Sequence, residues 1–268
     1  MKTNGSVAIV TGASGGIGIP TVRALIAAGV HLALAAPASE SHVLDQLVAE
    51  AKSGGVRAIA VPTDVRKRED VDCLVRAALD EFKTIDILCN VAGIGSSPSL
   101  CDETDARIAD VVNINLLGCA RMMHAVLPYM KAQRRGAIVN IGSVAGEAGV
   151  LGIYSGSKFG LRGLNDSVRR EVRSCGIGVT LIEPGFVKTP LNAAMGEGLP
   201  PPEIVADAIV AAIRRPRRRV IVPWPYYLAV SIAGAFPWFI DLVFGDARIQ
   251  ERLNRDARAE RAAAKPAT

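Results

Sequence analysis

The sequence predicts an α/β fold in which a doubly wound parallel sheet of about seven strands carries helices on both faces. Three observations lead there. Short runs of Val, Ile, Leu and Ala alternate with longer helical patterns along the chain, and only a long crossover can return a strand parallel to its neighbour. Half of the 268 residues are apolar while 4% are aromatic, so the core is aliphatic and the chain is long enough to bury a large one. No linker, repeat or low-complexity tract interrupts residues 1–222. The expected organisation is one domain over 1–222, with an apolar and helical extension, 223–268, packed on it.

Val7-Ala8-Ile9-Val10 is wholly apolar, as a strand buried on both faces must be. A glycine-rich turn follows, and then a helical pattern from about Ile17 to Ala28 that stops at Gly29. Further strands are predicted at His31–Ala35, Ala58–Val61, Ile85–Asn90, Ala137–Ile141, Val179–Glu183 and Val220–Val222. Helices fill the intervals at Ser41–Lys52, Arg68–Phe82, Asp105–Lys131, Tyr154–Arg173 and Glu203–Arg214. The last places Ile204, Val205, Ala208, Ile209, Ala212 and Ile213 along one side.

Charge and cysteine content exclude several functions. The net charge of +5 traces to Arg214, Arg215, Arg217, Arg218 and Arg219; without them 26 basic residues face 26 acidic ones. One short cluster is no nucleic-acid footprint, and scarce aromatics argue against base stacking. Cys73, Cys89, Cys101, Cys119 and Cys175 form no C-x-x-C pair, and with His31, His42 and His124 they give no metal-ligand spacing. They read as reduced thiols of a cytoplasmic protein. The early strand at Val7 leaves no room for a signal peptide, and no metal is expected.

Residues 11–18 read Thr-Gly-Ala-Ser-Gly-Gly-Ile-Gly between the first strand and the first helix. Gly12 suits a tight turn, Gly16 a close approach of backbone to a pyrophosphate, and Gly18 the packing of helix on sheet. The helix N-terminus then offers free N–H groups and a positive dipole end to phosphates. No Gly-Lys-Ser/Thr follows, so an ATPase reading loses its main support.

Tyr154 and Lys158 stand one turn apart on a predicted helix. A free tyrosine titrates near ~10, and a neighbouring ammonium favours its ionised form, which makes the phenol a usable acid or base. Ser143, in the loop after a strand, can offer a hydroxyl to a substrate oxygen.

The glycine turn, Asn90-Val91-Ala92-Gly93, Asn115-Leu116-Leu117-Gly118, Ile141-Gly142-Ser143, Tyr154-x-x-x-Lys158 and Pro184-Gly185 follow one another in this order. In these motifs the chain, over about residues 5–222, resembles the single-domain branch of the short-chain dehydrogenase/reductase family. The resemblance implies a Rossmann-type sheet, a nicotinamide dinucleotide cofactor, and hydride exchange between an alcohol and a ketone or aldehyde. It implies Tyr154 as general acid/base, Ser143 as the group orienting the substrate oxygen, and Lys158 as the residue acting on Tyr154 and on the nicotinamide ribose. Asn115 would support a water path to that lysine. Gly12, Ser14, Gly16, Ile17, Gly18, Asp64, Val65, Asn90, Ala92, Gly93 and Thr189 would contact the cofactor, with Asp64 aimed at the adenine amino group. Pro184, Gly185 and Val187 would border the nicotinamide. A homodimer or homotetramer is also implied. The other reading of the same fold is a non-catalytic dinucleotide sensor or scaffold, for which Asn115, Ser143, Tyr154 and Lys158 together would be superfluous.

The chain departs from the family pattern in places. Val91 stands where a second asparagine is usual, Ser143 and Tyr154 are 11 positions apart rather than about 13, and Gly156 and Gly160 replace common alanines. Where NAD-preferring members carry an acid at the end of the second strand, this chain has Leu34-Ala35-Ala36-Pro37-Ala38-Ser39. The arginine frequent in NADP-preferring members is missing too, and the absence of the acid tilts the reading to NADP over NAD.

Val220–Phe244 is almost wholly apolar but broken by Pro223, Pro225, Pro237 and Asp241, and an arginine-rich helical stretch, 246–261, follows. Prolines and the acid argue against a spanning helix. The segment reads as a cover over the substrate cleft or a subunit interface, with peripheral membrane contact as the alternative. An apolar cover implies a lipophilic alcohol or carbonyl substrate.

Overall fold

The computed structural model describes residues 1–195, 198–246, 249 and 251. Seven parallel strands form one sheet: β1 (Val7–Thr11), β2 (His31–Ala36), β3 (Ala58–Pro62), β4 (Ile87–Asn90), β5 (Gly136–Ile141), β6 (Ile177–Pro184) and β7 (Arg219–Val222), in the spatial order β3-β2-β1-β4-β5-β6-β7. This is the Rossmann-type arrangement. Chain order reverses between β1 and β4, where Thr11 lies in register with Asn90. A ligand crevice opens at such a switch point, beyond the carboxyl ends of the strands.

The two-residue period of the strands divides the core. From β1, Val7 and Ile9 face one side and meet Val71, Leu74 and Ala78 of α3 (Arg68–Phe82), Met122 and Val126 of α5 (Cys119–Ala132), and Val168 of α7 (Gly152–Glu171). Ala8 and Val10 face the other and meet Val22 and Leu25 of α1 (Gly18–Ala27), Leu44 and Leu47 of α2 (Ser41–Ser53), and Val205 and Ile209 of α8 (Glu203–Arg214). Aliphatic side chains fill both layers, as the composition requires.

The helix expected over Asp105–Lys131 is continuous but not uniform. It runs as α4 (Asp105–Val112), a π-helical turn at Asn113–Gly118, and then α5. Such bulges accumulate at functional sites, and this one carries Asn115, fully buried. By length and composition Asp105–Ala132 could cross a membrane, yet its inner face is part of the core between the sheet and α3.

The Ser143 loop contains a short helix, α6 (Ala145–Ala148), that the sequence did not signal. After β7 the apolar segment splits into α9 (Pro225–Ala235) and α10 (Pro237–Phe244). At 1.5 Å per residue α9 is about 16 Å long, well short of a hydrocarbon core of about 30 Å. The arginine cluster lies at the start of β7, while α9 begins after its end, so about 13 Å of strand separates them. Arg218 is bound to Asp166 at 2.6 Å, and Arg219 to Glu183. The cluster is therefore at the far end of the strand from the apolar helices, and partly neutralised. Most of the arginine-rich stretch 246–261 lies outside the described residues.

Candidate active site

A cleft of about 660 Å³ opens over the switch point. Its walls are the turn after β1, the ends of β2 to β6, the first turn of α7, and the Pro184–Asn192 loop. Of the residues singled out in the sequence, Gly12, Ser14, Gly16, Ile17, Gly18, Asp64, Val65, Ala92, Gly93, Ser143, Tyr154, Lys158, Pro184, Gly185, Val187 and Thr189 line it. Asn90 and Asn115 do not; both are buried behind the wall.

The glycine turn fits a dinucleotide by what a side chain would do there. A Cβ on Gly12 would come within 2.6 Å of the Ala92 Cα, and one on Gly18 within 2.0 Å of the Gly12 carbonyl oxygen. At Gly16 it would meet Pro190 and Thr189 at 2.8 and 2.9 Å. The turn is thus pressed between β4 and the 184–192 loop. Helix α1 begins with no side-chain cap and no acid in its first turn, so its positive end is available to a phosphate group. Thr11 fixes the opposite wall, its hydroxyl accepting from the Val91 and Ala92 amides at 3.2 and 3.3 Å. Backbone amides make this contact, so valine serves at position 91.

At the other end, Lys158 is 5% exposed, and its ammonium donates to the Ile141 carbonyl at 2.8 Å. The Lys158 Nζ lies 5.7 Å from the centroid of the Tyr154 ring. A Cβ on Gly93 would be 3.4 Å from that Nζ and 3.3 Å from the Asn115 amide oxygen, so glycine there lets both side chains close on the wall. The Ser143 hydroxyl accepts from the Ala145 amide at 3.1 Å, which orients it at the mouth of α6. Ser96 accepts from the Tyr154 amide at 3.1 Å and ties the loop after β4 to the start of α7.

Asn115 acts as a brace. Its side-chain oxygen accepts from the Ile94 amide, and its amide donates to the Ile94 carbonyl, each at 2.9 Å. It also donates to Ser157 Oγ at 3.1 Å, and that hydroxyl donates to the Tyr154 carbonyl at 2.7 Å. The asparagine therefore couples the 93–96 wall to the turn that carries Tyr154 and Lys158. Asn90 belongs to a second buried chain. It donates to Asn140 at 2.8 Å, and Asn140 donates to Asn165 at 3.0 Å.

Asp64 lines the cleft with its carboxylate already engaged by Arg66 at 2.8 Å. Hydrogen bonds from that guanidinium hold the carboxyl below the usual aspartate range. Beneath the site lies an ion network that sequence reasoning missed. Arg162 donates to both carboxylate oxygens of Glu147 at 2.6 Å, and Arg219 spans Glu147 and Glu183. Burial pushes the Glu183 carboxyl up to about 7; Arg219 opposes this, and the nearby Glu147 carboxylate adds to it. Burial also drives the Cys89 and Cys119 thiols up to about 12 and about 11, which leaves them unreactive.

The glycines at 156 and 160 have different surroundings. A Cβ on Gly160 would sit 3.1 Å from Leu116 of the π-helical turn, whereas at Gly156 only Ile153 lies within 4 Å, at 3.9 Å. Ser96, Thr11 and the Asn140–Asn165 pair are the supporting residues the sequence did not single out, and Glu40, whose carboxylate accepts from the Ser14 hydroxyl, also lines the cleft. Thr11 stands in the turn motif itself; for the others no local pattern points to the contact.

Comparison with known proteins agrees with this geometry. Residues 6–199 match the family model described as short chain dehydrogenase. The chain is 34% identical over 227 residues to the ketoacyl reductase HetN of Nostoc sp., covering 81% of this chain and 78% of that protein. It is 39% identical over 188 residues to a 3-oxoacyl-[acyl-carrier-protein] reductase of Synechocystis sp., covering 69% and 76%. A short chain dehydrogenase/reductase from Burkholderia phymatum, solved in complex with NAD, superposes with a TM-score of 0.83 at 26% identity, over 89% of this chain and 96% of that one. The chain therefore belongs to the short-chain dehydrogenase/reductase family, NAD(P)-dependent oxidoreductases that act on alcohol and carbonyl groups.

Proposed function

We propose that this enzyme interconverts a lipophilic alcohol and the corresponding ketone or aldehyde, with Tyr154 as its general acid/base. The observation that carries the reading is the placement of Tyr154, Lys158 and Ser143 on one wall of a cleft whose other end is the glycine turn. A nicotinamide cofactor held in this cleft would supply or accept the hydride. In the reductive direction the Tyr154 phenol gives its proton to the carbonyl oxygen as negative charge builds there; in the oxidative direction it takes the proton back. The buried Lys158 ammonium stabilises the phenolate left behind. Ser143 donates to the substrate oxygen and aligns it with the phenol. With the cofactor bound, Lys158 would also hold the nicotinamide ribose, and Pro184, Gly185 and Val187 would border the ring.

Apolar side chains support the substrate class. Ile94, Pro98, Leu151, Phe186 and Leu191 line the cleft together with Tyr154. The Tyr226 ring of α9 lies so close to Gly185 that a Cβ there would fall 2.5 Å from it, so the apolar segment packs behind the 184–192 loop, although no described residue of α9 or α10 lines the cleft. Relatives named as ketoacyl reductases agree with an acyl-chain ketone as one member of this class.

Turnover rates for long-chain 3-oxoacyl thioesters, long-chain aldehydes and steroid-like ketones, set beside those for small polar hydroxy compounds, test the reading. Higher kcat/KM for the lipophilic set is expected. Faster turnover of the small polar compounds would overturn it.

A further inference from the structure

No acid stands between Leu34 and Ser39, and the tilt towards NADP in the sequence rests on that gap. The fold supplies a carboxylate to the same place from farther along the chain. After β2 a 3-10 turn, Ala38–Glu40, leads into α2, and it brings Glu40 to the cleft wall beside Ala36 and Pro37. There the Ser14 hydroxyl, from the glycine turn, donates to Glu40 Oε2. This contact joins the phosphate turn to the end of β2, the two elements that hold the adenosine half of a dinucleotide at a switch point.

We propose that Glu40 selects the cofactor: its carboxylate accepts the hydroxyls of the adenosine ribose, rejects a 2′-phosphate, and makes the enzyme NAD-selective. The proposal rests on the dinucleotide reading of the cleft. A carboxylate is an acceptor with room for several donors, so ribose hydroxyls can join Ser14 on it. A phosphate monoester brings roughly −1.5 to −2 charges at neutral pH and only acceptor oxygens to the same spot.

The cations in the wall do not offset that repulsion. Among the described residues they are Arg66 and Lys158. Arg66 is bound to Asp64 through Nε and Nη2 and to Asp110 through Nη1 at 2.6 Å, so two carboxylates already neutralise it. Lys158 is at the far end, on the Ile141 carbonyl. Pro37 stands directly after the strand and offers neither charge nor an N–H donor. The electrostatic balance at the ribose is therefore set by Glu40.

The test is direct titration of NADH and NADPH into the purified full-length protein, read by nucleotide fluorescence, for the wild type and for Glu40→Gln. Binding is measured without turnover, and the substitution keeps the shape of a part-exposed side chain. The wild type is expected to bind NADH about tenfold or more tightly than NADPH. Glu40→Gln is expected to narrow that ratio by about tenfold, chiefly by improving NADPH. A wild type that prefers NADPH, or an unchanged ratio in Glu40→Gln, overturns the proposal while leaving the dinucleotide reading intact. Binding of neither nucleotide by folded protein overturns both.

Discussion

The Lys158 ammonium sits 5.7 Å from the centre of the Tyr154 ring and is anchored on the Ile141 carbonyl at 2.8 Å. The anchor matters as much as the distance. A lysine side chain has four rotatable bonds, and burying it costs rotamer entropy and hydration. The carbonyl at the end of β5 compensates and holds the charge at one point beside the phenol.

In the proposed mechanism, replacing the phenol removes the proton donor and little else. Tyr154→Phe is expected to lower kcat by about 10²–10⁴-fold, while fluorescence titration shows nearly unchanged cofactor affinity. Wild-type rates in that variant would dismiss the proposed mechanism.

Loss of Asn115 acts at a distance from the reacting atoms. In Asn115→Ala the Ile94 amide and carbonyl lose their partner inside the protein, at about 1–3 kcal/mol for each group left unpaired. A lower Tm is expected from calorimetry, together with a fall in kcat as the 93–96 wall loosens from the turn of Tyr154. Asn115→Asp can still accept from the Ile94 amide but cannot donate to its carbonyl, so it should recover only part of the loss.

The Glu183 carboxyl has a definite pH signature. Burial raises it from the ordinary 4.5 to about 7 in the folded state, so the folded protein holds a proton that the unfolded chain has released. Its contribution to stability is fully present below pH 4.5, is lost progressively as pH rises towards about 7, and stays lost above. Denaturant unfolding of the wild type and Glu183→Gln across this range should show the difference between them changing with that sign. A difference independent of pH would mean that the carboxyl is ionised throughout.

Two glycines should respond oppositely to alanine. Gly163 is exposed on α7 with nothing within 4 Å of an added Cβ, so Gly163→Ala should raise stability by about 0.5–1 kcal/mol through helix propensity. Gly18→Ala drives a Cβ into the Gly12 carbonyl at 2.0 Å, and a loss of about 1–3 kcal/mol is expected, with weaker NADH binding as the turn shifts. Thermal melts of both variants check the pair.

What could be read from the sequence alone was whatever is written in neighbouring residues. Strands and helices announce themselves by period, which is why the predicted strands lie on the observed ones, with the fourth starting two residues later, at Ile87, and the sixth two residues earlier, at Ile177. The glycine turn and the Tyr154–Lys158 pair are also local, since a turn and an i,i+4 spacing need no tertiary partner to be recognised. Tertiary structure alone decided what meets across elements. Ser14 and Glu40 are 26 residues apart, and Arg219 reaches Glu183 across 36. Neither pair has a sequence period, because such contacts depend on strand order and on where each turn leaves its strand. The π-helical turn at Asn113–Gly118 is of the same kind, its bulge matched to a buried asparagine that must reach both Ile94 and Ser157. The family and its class of chemistry were therefore legible in the sequence, whereas the contact between Ser14 and Glu40 is a property of the folded chain, since only folding brings the turn after the second strand against the glycine turn.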